Sequence, residues 1–190
     1  MFKHQLFIRP LAAALLLLAG GALGAPSAFV ERAASVSGGF SFGNGARVVA
    51  SLELPIDFGW PVDVSLEANA GYSSWASGPS PIVGLGAKAL LFPALFGNPP
   101  VAVALELRGA AGEVQPFAAG PRFQVLPIVS LDFTPLVVNL SVGLGLLGGN
   151  VGLDGGIGLR YYFDPFALDA SLNFSTAGAT TAGVGVRYSF

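Results

Sequence analysis

Eight ionisable residues fall where they could do chemistry together: Glu53, Glu67, Lys88, Glu106 and Arg108, and later Arg160, Asp169 and Arg187. Each lies in a segment where polar and apolar residues alternate, on the polar side of the alternation. Folding the chain back on itself around Trp60 sets Glu53 across from Glu67 and Asp57 across from Asp63. Folding it back at residues 92–101 puts Lys88 close to Glu106, with Arg108 one position along the same face. Near the end of the chain, Asp169 falls opposite Arg187, with Arg160 nearby. Carboxylates brought together need cations beside them, or one must take up a proton. Two readings follow for the cluster of Glu53, Glu67, Lys88, Glu106 and Arg108 and the group of Arg160, Asp169 and Arg187. They stitch a narrow interior together, or they form a charged constriction whose partners can exchange.

Other chemistries drop out by inventory. The sole histidine is His4, near the start, and there is no cysteine. Ser–His nucleophiles, thiol chemistry and histidine-containing metal sites are therefore absent from the rest of the chain. No enzyme activity, no cofactor and no metal site are expected. A carboxylate pair alone could still do acid–base work.

The elements that must position these residues read by twos. In residues 62–72, Val62, Val64, Leu66, Ala68, Ala70 and Tyr72 alternate with Asp63, Ser65, Glu67, Asn69 and Gly71. Residues 136–146 and 168–175 repeat the pattern. Marking every such run predicts about ten strands: 34–43, 46–58, 62–73, 82–92, 101–112, 121–133, 136–147, 151–163, 167–176 and 180–190. Eight remains open if the first hairpin lies outside the wall. The intervals carry turn residues such as Gly43-Asn44-Gly45, Thr134-Pro135, Gly148-Gly149-Asn150 and Asp164-Pro165. Pro127 interrupts a strand on its apolar face and predicts a bulge or a lateral weak point. Glycines at inward positions, among them Gly84, Gly143 and Gly156, leave room that water or close packing could use.

Composition says what surrounds the strands. The chain is 53% hydrophobic and only 11% charged, about half the charge of a typical soluble domain. After the N-terminus no run of about 20 apolar residues is available to cross a membrane as a helix. A closed transmembrane β-barrel is the remaining way to satisfy every backbone group in lipid. Arg47, Glu53, Asp57, Asp63, Glu67, Lys88, Glu106, Arg108, Arg122, Asp132, Asp154, Arg160, Asp169 and Arg187 all fall on the polar faces of their strands, as a lipid-facing exterior demands. Aromatic residues gather at two levels. Phe58, Trp60, Phe92, Phe96, Phe133, Tyr161, Phe163, Phe166, Tyr188 and Phe190 mark one rim. Phe40, Phe42, Tyr72, Trp75, Phe117, Phe123 and Phe174 mark the other. A secreted β-sandwich also alternates, but it gives no reason for two aromatic levels.

Residues 1–24 read as a signal peptide, with Lys3, His4 and Arg9 before an apolar core from Leu11 to Leu18 and cleavage near 24–28. The barrel domain is then 29–190. Removing the leader leaves seven basic residues against 11 acidic ones, a net charge of −4 that does not favour nucleic acid.

With these features on the page, the chain resembles the small bacterial outer-membrane β-barrel proteins of eight to ten strands, of the porin-like and OmpA-like kind. Gly185, Tyr188 and Phe190 match that family's C-terminal assembly signal, while Gly183 departs from it, since a larger polar residue is usual there. The resemblance implies the outer membrane of a diderm bacterium. Its implied partners are the lipid bilayer, periplasmic chaperones and the barrel-assembly machinery. It also implies a periplasmic C-terminus, with outer loops near Gly43–Gly45, Ser74–Pro81, Gly112–Gly120, Gly148–Asn150 and Thr176–Thr180. The expected function is a structural, envelope-integrity barrel with a narrow ion-paired lumen. The alternative is a narrow porin-like channel for ions or small solutes.

Overall fold

Successive side chains of an extended strand point to opposite faces, so a segment apolar on one face and polar on the other must lie between two environments. The computed structural model describes residues 27–29, 33–43, 45–75, 78–112, 114–115, 118–178 and 180–190. It resolves the alternation into β1 (Ser35–Phe42), β2 (Ala46–Ile56), β3 (Asp63–Trp75), β4 (Gly78–Phe92) and β5 (Val101–Ala111). After the two-residue pairs β6 (Val114–Gln115) and β7 (Ala118–Ala119) come β8 (Arg122–Phe133), β9 (Leu136–Leu147), β10 (Asn150–Phe163), β11 (Phe166–Ser175) and β12 (Thr181–Ser189). Apart from the β6–β7 ribbon, which lies in the loop between β5 and β8, the strands form one closed, up-and-down antiparallel barrel of ten. The first hairpin is in the wall, so the eight-strand option falls.

Closure is made by β1 against β12, with Ser35 opposite Ser189 and Phe42 opposite Ala182. The Phe190 N–H adds a bond to the Ala34 carbonyl at 2.9 Å. Both ends of the wall therefore lie on one rim, called here the terminal rim. The turn between β9 and β10 is carried by Gly148 and Gly149, at φ 55° and 91°, the left-handed geometry that a two-residue hairpin turn requires.

Two elements differ from the sequence expectation. Ser74–Pro81 is not a loop: β3 runs to Trp75 and β4 resumes at Gly78, with Tyr72 opposite Pro81 and Ser74 opposite Pro79. In this stretch β4 is paired with β3, whereas its pairing with β5 starts only at Val83 opposite Ala111. A strand with a neighbour on one side tolerates proline. Pro127 makes no bulge. The β8–β9 register is the same before and after it, Val125 opposite Leu144 and Ile128 opposite Ser141, with pairing interrupted between. On its other side Pro127 pairs in register with Leu105. The register shift lies instead in β4–β5, between Leu90 and Phe92.

The barrel is dressed outside in. Leu85, Val142, Leu144, Val151, Ile157, Leu172 and Val184 are exposed on its exterior, and among the described strand residues no charge shares that face. A continuous exposed apolar belt around a closed barrel is stable against lipid, not water. Rings bound the belt. Phe163, Phe166, Tyr188 and Phe190 form a chain at the terminal rim with centroids 5.8, 5.2 and 6.1 Å apart, and Phe58 stacks near Trp60 at 5.0 Å. Phe40 and Phe42, 6.0 Å apart, sit toward the other rim. The side chains of Trp75 and Phe117, like the proposed leader, lie outside the described residues.

Candidate functional site: an ion-paired lumen

The inward faces assemble the polar residues into a lumen, and the pairs within it follow one rule. Most of them reach across an intervening strand where that strand carries a glycine or a serine. Glu53 on β2 and Lys88 on β4 meet at 2.8 Å over β3, where Ser65 also donates to Glu53 at 2.7 Å. Arg187 on β12 reaches Glu53 at 2.7 Å over β1, donating on the way to Ser35 at 2.7 Å. Arg108 on β5 approaches Glu67 on β3 at 3.7 Å, over Gly86, which is in register with both. Arg108 also donates to Glu106, two residues back, at 2.8 Å. A direct neighbour pair completes the set: Arg160 and Asp169, opposite one another on β10 and β11, make a two-bonded contact at 2.7 and 3.3 Å. Paired forks of this kind are strong and fix orientation.

Glu53 and Glu67 do face each other in register, as do Lys88 and Glu106. The structure does not bring Arg187 to Asp169, however. Asp169 is taken by Arg160, and Arg187 turns the other way, through the β12–β1 closure, to join Glu53. Arg187 thereby joins the first group through Glu53, while Arg160 stays with Asp169. Asp57 and Asp63 lie exposed at the terminal rim, where Asp57 accepts from the Gly59 N–H at 2.7 Å.

A further constellation escaped the sequence reading. Asp154 on β10 accepts from Arg122 at 2.7 Å and Gln124 at 2.6 Å, both on β8. The strand between them, β9, presents Gly143 and Gly145. A methyl at Gly145 would run into the Asp154 carboxylate. Asn69 lies over Gly84 and Asn173 over Gly156 in the same way. At Gly71 and Gly143 the glycine admits backbone instead, since a methyl there would meet the carbonyl oxygens of Val48 and Val125.

Solvent scarcely reaches this system. Arg160 is 1% exposed, Glu106 3%, Glu53 and Asp169 4% and Lys88 7%. Nearer the opposite rim, Arg47, Asn69, Arg108, Arg122 and Gln124 surround a cavity of about 20 Å³, room for about one water. Toward the terminal rim the lumen wall carries an apolar layer of Leu90, Ala102, Ala104, Leu126 and Ile128, joined by Ala28 and flanked by Phe29. That Ser27–Phe29, ahead of the first strand, lies inside the barrel had no signal in the sequence: three residues carry no periodicity. On the exterior, a groove of about 970 Å³ runs over the outer ends of β4, β5 and β8, between Leu85, Leu107, Phe123 and Val125.

No family model and no curated protein matches the chain. Solved structures similar in fold include the KdgM porin in complex with disordered oligogalacturonate, 14% identical, covering 82% of this chain and 99% of that one with a TM-score of 0.48. The Acinetobacter baumannii outer membrane protein Omp33 is 11% identical, covering 83% and 98%, with a TM-score of 0.40. A mutant of the Rh. blastica porin is 10% identical, covering 83% and 99%, with a TM-score of 0.34. At that level of likeness the names of these proteins say nothing about what this barrel passes.

Proposed function

We propose that the protein is an outer-membrane barrel with a structural, envelope-integrity role, whose lumen is shut at rest by a buried ion-paired layer. The observation that supports this reading is the burial of Glu53, Lys88, Glu106, Arg160 and Asp169, each less than a tenth exposed and each within bonding distance of an opposite charge. A conducting pore keeps its charged constriction wet. Here each of these charges faces an opposite one and the small residues between them are covered, while Glu106 Oε2 accepts no hydrogen bond. The outer-membrane placement rests on the apolar belt, its two aromatic levels and the C-terminal Gly185, Tyr188 and Phe190. Those three residues are the assembly signal in this reading, and the barrel-assembly machinery and periplasmic chaperones are its partners in transit.

A second reading, a narrow channel for ions or small solutes, draws on the shared partners of Glu53. With Lys88, Arg187 and Ser65 all bound to one carboxylate, the pairs can exchange without leaving a charge bare. Swelling of proteoliposomes in small sugars and amino acids separates the readings. Swelling at the rate of protein-free vesicles supports the shut barrel. Size-dependent swelling that changes when Glu53 and Glu67 become glutamine supports the channel and removes the first reading.

A further inference from the structure

We propose that, in the chain cut after residue 24, Ser27–Phe29 is a plug seated in the lumen at the terminal rim, and that its withdrawal opens that mouth of the barrel. The seat is built. Ala28 is 0% exposed and Ser27 2%, although neither belongs to a strand. The Ala28 N–H donates to Ser130 Oγ at 2.8 Å, and that hydroxyl donates to Asn139 Oδ1 at 2.6 Å. Lys88 Nζ donates to the Phe29 carbonyl at 2.9 Å while holding Glu53. Beneath the segment lies the apolar layer of Leu90, Ala102, Ala104, Leu126 and Ile128.

Three features make the segment a plug and not part of the wall. The ten-strand ladder closes through β1 and β12 without it. The wall beneath it carries two alanines, Ala102 and Ala104, where larger side chains would have filled the space, so the closure there depends on what the segment brings. Its attachments also end on groups with other partners, so that leaving strands none of them: Ser130 retains Asn139, and Lys88 retains Glu53. Lys88 thereby couples the plug to the ion-paired layer, since an ammonium released by Phe29 is free to follow Glu53 or solvent. The inference goes beyond the shut barrel of the preceding reading, and names what would unshut it.

The chain has no cysteine, so a single reporter suffices. Ala102→Cys places a thiol under the plug, and its reaction with a membrane-impermeant maleimide is followed in folded protein in vesicles. It is compared with the same reporter carrying Ala28→Asp, which sets a charge in a dry seat, and with one carrying Ala28→Pro and Phe29→Gly, which removes the N–H given to Ser130 and the ring packed on the apolar layer without adding charge. The proposal expects the reporter to be protected in the otherwise native chain and to react at least tenfold faster in both released forms. Planar-bilayer recordings of those forms should show at least tenfold more frequent conducting events. Fast labelling of the otherwise native chain, or protection that survives both replacements, overturns the seat. Exposed thiol with current no higher than native overturns the gate while leaving the shut barrel standing. Steady current through the native chain would instead contradict the shut barrel, and if neither replacement raised it the plug would fall as well.

Discussion

Glu53 shows how much one lumenal residue carries. Its carboxylate faces Lys88, Arg187 and Ser65 at 2.7–2.8 Å in a buried position. Glu53→Gln takes from Lys88 and Arg187 the carboxylate that they share, and should cost about 3–5 kcal/mol, read as a lower denaturant midpoint in the heat-modifiable gel shift of the refolded barrel. Arg160 and Asp169 allow a sharper test. Asp169→Asn takes from Arg160, itself 1% exposed, the carboxylate that it grips with two bonds and should cost a similar amount. Replacing both residues, Arg160→Met with Asp169→Leu, should restore most of it, because an apolar pair of similar volume removes the desolvation cost with the attraction. If the double replacement is as unstable as the single one, the pair holds the fold by more than mutual compensation. Which residues face inward was legible from parity alone. Which partner each one takes was not, because that depends on the strand between them and on closure: Arg187 could be paired with Asp169 on paper only while β12 had no visible neighbour on its other side.

The strand is the next scale. Alternation gave the ten wall strands and nearly all their bounds, because in lipid a slipped register would turn charges outward. Leu140 lies on the exposed face of β9, midway along the strand, and Leu140→Arg should cost about 2–4 kcal/mol, measured by equilibrium unfolding from lipid vesicles. An unchanged midpoint would mean that this face is not in lipid. Gly145 tests the rule of reaching across a small residue: Gly145→Val occupies the space of Asp154. It should separate that carboxylate from Arg122 and Gln124 and destabilise by about 3 kcal/mol or more. A fully stable Gly145→Val would show that Asp154 has another place to go. The prolines were misread for a local reason. A proline says that one N–H is missing, not whether the strand bends, swells or stands unpartnered. The neighbours decide that: β4 is paired on one side at Pro79 and Pro81, and β8 keeps its register through Pro127.

At the scale of the whole molecule, the belt, the rings and the buried lumen support the proposed reading of a barrel that seals. Two hydrogen bonds of about 0.5–1.5 kcal/mol each, with modest apolar burial, stand against about 1–2 kcal/mol per residue for ordering three residues of backbone. The N-terminal seat is thus close to balance, which is where a reversible closure must lie. Nothing in the sequence announced it, since the seat is assembled from β4, β5, β8 and β9, which meet only after closure. The direct measurement of the central claim is single-channel recording of the full, folded protein in planar bilayers. A barrel closed by its buried ion pairs passes no steady current at moderate voltage, with folding confirmed by gel mobility. Reproducible, long-lived steps from the unmodified chain, altered when Glu53 and Glu67 are replaced by glutamine, would contradict the account and make the lumen a channel.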